Sequence, residues 1–229
     1  MCAMAPNLEE LTLTNWRVRD AQGAIKSLEL STFASLRTAT LENMDMMFPK
    51  LPFSLDDLTI SNCLITSGLP DPLPAEFPSL KALKVTNNHG LRHLWIEALL
   101  VASKGTMEFI DLTGFGHIAG VHLVMNSNRG WCQSLRELYF AYVDINDVFL
   151  GDLVKETKNL EVIDLSHTGV TSLGIKEVVL SQQKLRQIKL LNCHYVSLDV
   201  VEFARKRGIT VNYFFPDNKK RKYAKRVRE

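Results

Sequence analysis

The chain has 229 residues, of which 46% are hydrophobic and 23% charged, the composition of a folded protein long enough for one or two compact domains or one extended array. Its net charge of +2 is unevenly spread: the last eleven residues, from Lys219, carry seven bases and one acid, which leaves −4 on the body before them. No apolar run approaches the ~20 residues that span a bilayer, and no charged start leads into an apolar stretch, so neither a membrane span nor a secretory signal is expected.

One nine-residue phrase recurs along the chain. Copies begin at Leu8, Leu36, Leu55, Leu80, Met107, Leu135, Leu160 and Leu185, and six of the seven gaps between them are 25 to 28 residues. The clearest two run from Leu160 to Thr168 and from Leu185 to Cys193, with an aliphatic residue at positions one, four and six and Thr or Cys at position nine. Ile163 and Leu165 alternate with Val162, Asp164 and Ser166, which predicts a strand with one set inward and the other outward. A ninth, partial strand is predicted at Ile209, Thr210, Val211, Asn212 and Tyr213.

Between the phrases, helices are predicted at 21–31, 91–102, 118–125, 146–155, 172–183 and 197–206, with Asn146 and Ser197 as N-caps. The short gap of 19 residues after Leu36 contains Pro49 and Pro52 and predicts an irregular turn. Pro70, Pro72, Pro74 and Pro78 predict an extended loop. One strand–helix unit cannot bury its own apolar side and must stack on neighbours. Met1–Asn7 offers too little for the polar end cap such a stack needs, so the sequence is expected to be a fragment of a longer protein. The four cysteines form no C-x-x-C pair, and Cys63 and Cys193 fall at position nine, where a small buried thiol fits. Reduced, structural, intracellular cysteines are expected.

Phrases of this length and pattern resemble leucine-rich repeats. Cysteine or asparagine at position nine makes them similar to the ribonuclease-inhibitor-like class. The phrase Leu55-Asp56-Asp57-Leu58-Thr59-Ile60-Ser61-Asn62-Cys63, and Cys193 with the following His194-Tyr195-Val196-Ser197, resemble the cysteine-containing repeats of F-box proteins. The segment from Val200 through Glu202, Phe203 and Arg205 to Ile209 looks like the closing repeat of fungal F-box receptors. The resemblance implies a right-handed α/β solenoid, a horseshoe of about eight repeats over 1–216 with parallel strands on its concave face, followed by a basic tail at 217–229. It also implies the substrate receptor of a cullin–RING ubiquitin ligase, in which an F-box docks the adaptor and cullin while the repeats hold the target protein. No F-box is found in these residues, so that contact would need a segment outside this chain. The alternative is a scaffold or inhibitor without ligase linkage, similar to ribonuclease inhibitor.

Positions three, five and seven of each phrase should face away from the core. Their acids are Glu10, Glu42, Asp57, Asp111, Glu137 and Asp164, and their only bases are Lys84 and Lys189. Phe109 and Tyr139 fall beside Asp111, Glu137 and Asp164. Aromatic rings next to carboxylates on a rigid surface suit an Arg- or Lys-containing segment of a partner protein. The same charges would also serve simply to keep a sheet surface hydrated. Lys219, Lys220, Arg221 and Lys222, followed by Lys225, Arg226 and Arg228, resemble a nuclear import signal, which implies a nuclear or nucleocytoplasmic protein. Tyr223 is the only aromatic in that run, so nucleic-acid binding by base stacking is not expected. His89 and His93 have H-x-x-x-H spacing, but Gly90 interrupts them, and His117 and His122 are five apart, so no metal or cofactor is expected. Asp111, His122 and Ser134 make no catalytic set, because no sharp strand-to-helix turn presents a nucleophile, and no enzymatic activity is expected.

Overall fold

The structure, a computed structural model, describes residues 7–66, 77–91, 93–116 and 132–214. The outward-alternating core of each phrase is a strand: β1 (Glu10–Thr14), β3 (Thr38–Glu42), β5 (Asp57–Ser61), β7 (Ala82–Thr86), β8 (Phe109–Asp111), β9 (Glu137–Tyr139), β10 (Val162–Asp164) and β11 (Gln187–Leu191). The predicted ninth strand is β12 (Thr210–Phe214). These strands form one nine-stranded sheet in the order β1-β3-β5-β7-β8-β9-β10-β11-β12, every pairing parallel. Each neighbour follows its predecessor along the chain, and position three pairs with position three throughout: Glu10 with Thr38, Thr38 with Asp57, Asp57 with Ala82, then Phe109, Glu137, Val162, Gln187 and Thr210. The chain is therefore α/β, with the phrase as the structural unit.

Positions one, four and six build the core. Leu58, Ile60, Leu83, Val85, Ile110, Leu112, Leu138, Phe140, Ile163, Leu165, Ile188 and Leu190 are all buried, whereas Leu11 and Leu13 on the edge strand β1 are only partly so. Helices α1 (His93–Ala102), α2 (Asp147–Glu156), α3 (Ser172–Ser181) and α4 (Leu198–Arg205) return the chain between later strands. Asn146 caps α2 by accepting from the Val148 and Phe149 amides, as predicted. For α3 the cap is Thr171, which accepts from the Leu173 amide, and Ser197 precedes α4 without a side-chain cap bond.

The first return limbs differ from expectation. No helix forms at 21–31. Instead Asp20 Oδ1 accepts from the Gln22 and Ala24 amides, Gly23 takes φ +82°, and the chain enters β2 (Ser27–Glu29) and one 3-10 turn at Leu30–Thr32. The short gap after Leu36 holds not only turns but β4 (Asp45–Lys50), and β6 (Leu64–Ile65) follows; β2, β4 and β6 make a second, three-stranded parallel sheet. A strand rises ~3.3 Å per residue against ~1.5 Å in a helix, so it spans the same return path with half the residues. Pro49 is tolerated inside β4 because the register with β2 shifts between Ser27 and Glu29, leaving a position where no ladder donor is needed. The predicted helix at 118–125, the loop prolines Pro70, Pro72 and Pro74, and the tail at 217–229 lie outside the described residues.

The remaining phrase positions fasten one copy to the next. At position two the charges alternate along the sheet: Glu9, Arg37, Asp56, Lys81, Glu108, Arg136, Glu161, Arg186. Asp56 lies 3.3 Å from both Arg37 and Lys81, Arg136 lies 3.6 Å from Glu108 and 3.2 Å from Glu161, and Arg186 lies 2.5 Å from Glu161. Each exposed pair contributes only about 0–1 kcal/mol, but alternation keeps like charges off adjacent strands. Position eight is left-handed in all eight copies, at Asn15, Asn43, Asn62, Asn87, Gly114, Tyr142, His167 and Asn192, with φ from +52° to +73°. Asparagine and glycine adopt that conformation at least cost. At position nine, small donors meet position-six carbonyls: Asn88 Nδ2 donates to Ile60, Cys63 Sγ to Leu41, Thr168 Oγ1 to Leu165, and Cys193 Sγ also to Leu165. Burial raises the thiol pKa at Cys63 and Cys193, as it does at Cys132, where it reaches about 12.

Candidate functional site

The five residues singled out from the sequence come together on β8, β9 and β10. Register places Phe109 beside Glu137 at position three, and Asp111, Tyr139 and Asp164 in one cross-strand row at position five. The row continues to Lys84 on β7 and Lys189 on β11, so it reads Lys84, Asp111, Tyr139, Asp164, Lys189 across five adjacent strands. Strands lie about 4.8 Å apart, so the two carboxylates flank the central ring at about 10 Å from each other along the sheet.

The central ring is fixed from three sides. Tyr139 Oη donates to Glu137 Oε2 at 2.8 Å. The Phe109 ring tilts against it at 40°, with centroids 5.5 Å apart. Lys189 Nζ sits 4.8 Å from the ring centroid and 3.6 Å from Asp164 Oδ2. Burial, the Glu137 hydrogen bond and charge, and the charges of Asp164 and Asp111 together push the Tyr139 phenol up to about 12. Asp111 and Asp164 each turn one oxygen back to the chain, Asp111 Oδ1 accepting from the Thr113 amide and Asp164 Oδ1 from the Ser166 amide, both at 3.0 Å. Both carboxylates are thereby held in one rotamer, while their side chains stay partly open to solvent.

Sequence reasoning identified the carboxylates and rings but counted Lys189 only as a base on the same face. Its place beside Asp164, within reach of Tyr139, shows when position five alone is read in successive phrases, Lys-Asp-Tyr-Asp-Lys, a pattern that a nine-residue window hides. A second feature went unpredicted at the C-terminal ends of the strands. There Tyr142 stacks on His167 at 3.9 Å and 14°, and Leu191 and Phe214 stand exposed side by side.

His93 opens α1 and faces Glu97 at 3.9 Å, while the His89 backbone pairs with Ile65 and Cys63. Among the described residues no three His, Cys, Asp or Glu side chains are grouped to hold a metal ion, and no helix is long and apolar enough to cross a membrane. Ser134 Oγ donates to the Gly105 carbonyl at 2.7 Å, and His117, His122 and the import-like Lys219, Lys220, Arg221 and Lys222 lie outside the described residues. No family model matches this chain, and no curated protein matches it.

Proposed function

We propose that the chain is a leucine-rich-repeat solenoid that binds a target protein on the outward face of its strands, through a basic segment of that target. The solenoid is supported by a parallel strand order that follows the chain, by position-for-position register, and by the left-handed residue at position eight of every copy. The binding reading is carried by one observation: Asp111 and Asp164 flank Tyr139 in a single row, with Phe109 packed on that ring and Glu137 holding its hydroxyl. An arginine or lysine entering this row meets a ring face and a carboxylate together, and each such contact contributes on the order of 1 kcal/mol. In this reading the repeats are the substrate-recognition part of an F-box receptor of a cullin–RING ligase. The adaptor and cullin join through an F-box supplied outside this chain, and the basic run from Lys219 to Lys222 directs the protein to the nucleus.

Replacing Asp111, Glu137 and Asp164 together by lysine tests the face. Each change exchanges attraction for repulsion, so affinity for an arginine-rich peptide should fall at least about a hundredfold, with the circular dichroism spectrum unchanged. Undiminished affinity in a folded triple variant refutes the site. Co-purification of adaptor and cullin with the full-length gene product supports the ligase; a single stoichiometric partner without them favours a scaffold or inhibitor.

A further inference from the structure

We propose that Lys189 is a built-in competitor that occupies the cation seat of this face until a basic partner displaces it. The proposal rests on the reading of the face as a surface for basic segments. Lys189 is one of two bases at positions three, five and seven of the eight phrases, against six acids. Its ammonium does what a bound cation would do: it lies over the Tyr139 ring at 4.8 Å and beside Asp164 Oδ2 at 3.6 Å. The remaining groups that bear on the same ring are Glu137, which accepts from its hydroxyl, and Phe109, which tilts against it. An incoming guanidinium therefore takes this seat only if the Lys189 ammonium leaves.

Displacement is feasible. The Lys189 side chain is 32% exposed, so its four-carbon stem can swing toward solvent and keep its charge hydrated. Its contacts, one partly exposed ion pair and one cation–π contact, are of the size that a competing cation can replace. The other half of the row, around Asp111, has Lys84 only as its register neighbour. The seat consequently discriminates: a partner must offer a cation that binds Tyr139 and Asp164 better than a lysine already tethered there. Arginine does so, because its planar guanidinium can stack on the ring and bridge a carboxylate at once.

The test uses the whole chain, a fluorescent octa-arginine peptide, and the variants Lys189→Gln and Lys189→Arg. Anisotropy should report binding by the unaltered chain, tightened about three- to tenfold by Lys189→Gln and left within about twofold by Lys189→Arg. Octa-lysine should gain more from Lys189→Gln than octa-arginine does. If the unaltered chain binds but Lys189→Gln binds equally or more weakly, Lys189 positions Asp164 and Tyr139 instead of competing for them, and the proposal falls while the binding face stands. If neither the unaltered chain nor Lys189→Gln binds, the binding face falls and takes the proposal with it.

Discussion

Replacing Asn88 by alanine tests how the copies are fastened together. Asn88 sits at position nine of the fourth phrase, and its carboxamide spans the step back to the third. Its Oδ1 accepts from the Cys63 amide at 2.8 Å, and its Nδ2 donates to the Ile60 carbonyl at 2.8 Å. Cys63 is 1% exposed, so water cannot replace the lost acceptor. An orphaned buried amide costs about 1–3 kcal/mol, and the second bond adds about 0.5–1.5 kcal/mol. Asn88→Ala should therefore lose about 2–4 kcal/mol in urea unfolding, read as a lower midpoint at constant slope. Asn88→Cys is the informative control. A thiol at position nine can serve a carbonyl, as Cys63 and Cys193 do, but it offers the Cys63 amide no good acceptor. It should recover less than half of the loss. A loss below about 0.5 kcal/mol in Asn88→Ala, or full recovery by cysteine, would refute the account of position nine.

Position eight separates backbone from side chain. Asn62 has φ +53° and is exposed, so Asn62→Gly should leave the unfolding midpoint nearly unchanged, whereas Asn62→Val should cost about 1–2 kcal/mol; equal losses would show that the side chain matters instead. Tyr139 should dominate the late part of an ultraviolet alkaline titration, near pH 12 against an ordinary phenol at 10.0, and Tyr139→Phe should remove that last step. Because the folded chain holds this proton more tightly than the unfolded chain, the associated stability is complete below pH 10 and is lost as pH rises toward 12. Glu137→Gln should move the step to lower pH; a step that stays in place would contradict the Glu137 contribution.

What the sequence reveals depends on whether a position answers to the core. Positions one, four and six recur as aliphatic residues, and their period alone gave the eight strands, their order and the ninth strand at the end. Helices 91–102, 146–155, 172–183 and 197–206 announced themselves through apolar spacing, and their observed ends differ by a residue or two. The early return limbs misled because 21–31 contains leucines that fit a helix, while the decisive quantity is the path length the segment must cover. The Asp20–Gly23 turn is closed locally by the Gln22 and Ala24 amides on Asp20, whereas the pairing of β2 with β4 joins residues distant in sequence, such as Ser27 and Met47. The alternating charges at position two and the left-handed asparagines at position eight were present in the text, yet each shows only when one position is read down all copies.

Reading down the copies also isolates where function can reside. Positions one, four and six are taken by the core. Position two is the charge ladder, position eight the left-handed turn, and position nine, at Cys63, Asn88, Thr168 and Cys193, the carbonyl contact. Position seven carries a hydroxyl in five of the eight copies, and some of these bond across strands, as Ser61 with Thr86 at 2.9 Å and Ser166 with the Leu191 amide at 3.1 Å. Positions three and five remain, and the sheet carries Thr, Ala, Val, Lys or Asn there, as at Thr40, Thr59, Ala82, Val162, Lys84 and Asn212. Large aromatic and charged side chains at Phe109, Asp111, Glu137, Tyr139, Asp164 and Lys189 are thus not required by the sheet. They interact with one another on the outward face, where each stays only partly buried, and it is on this set that the proposed binding of a basic segment rests.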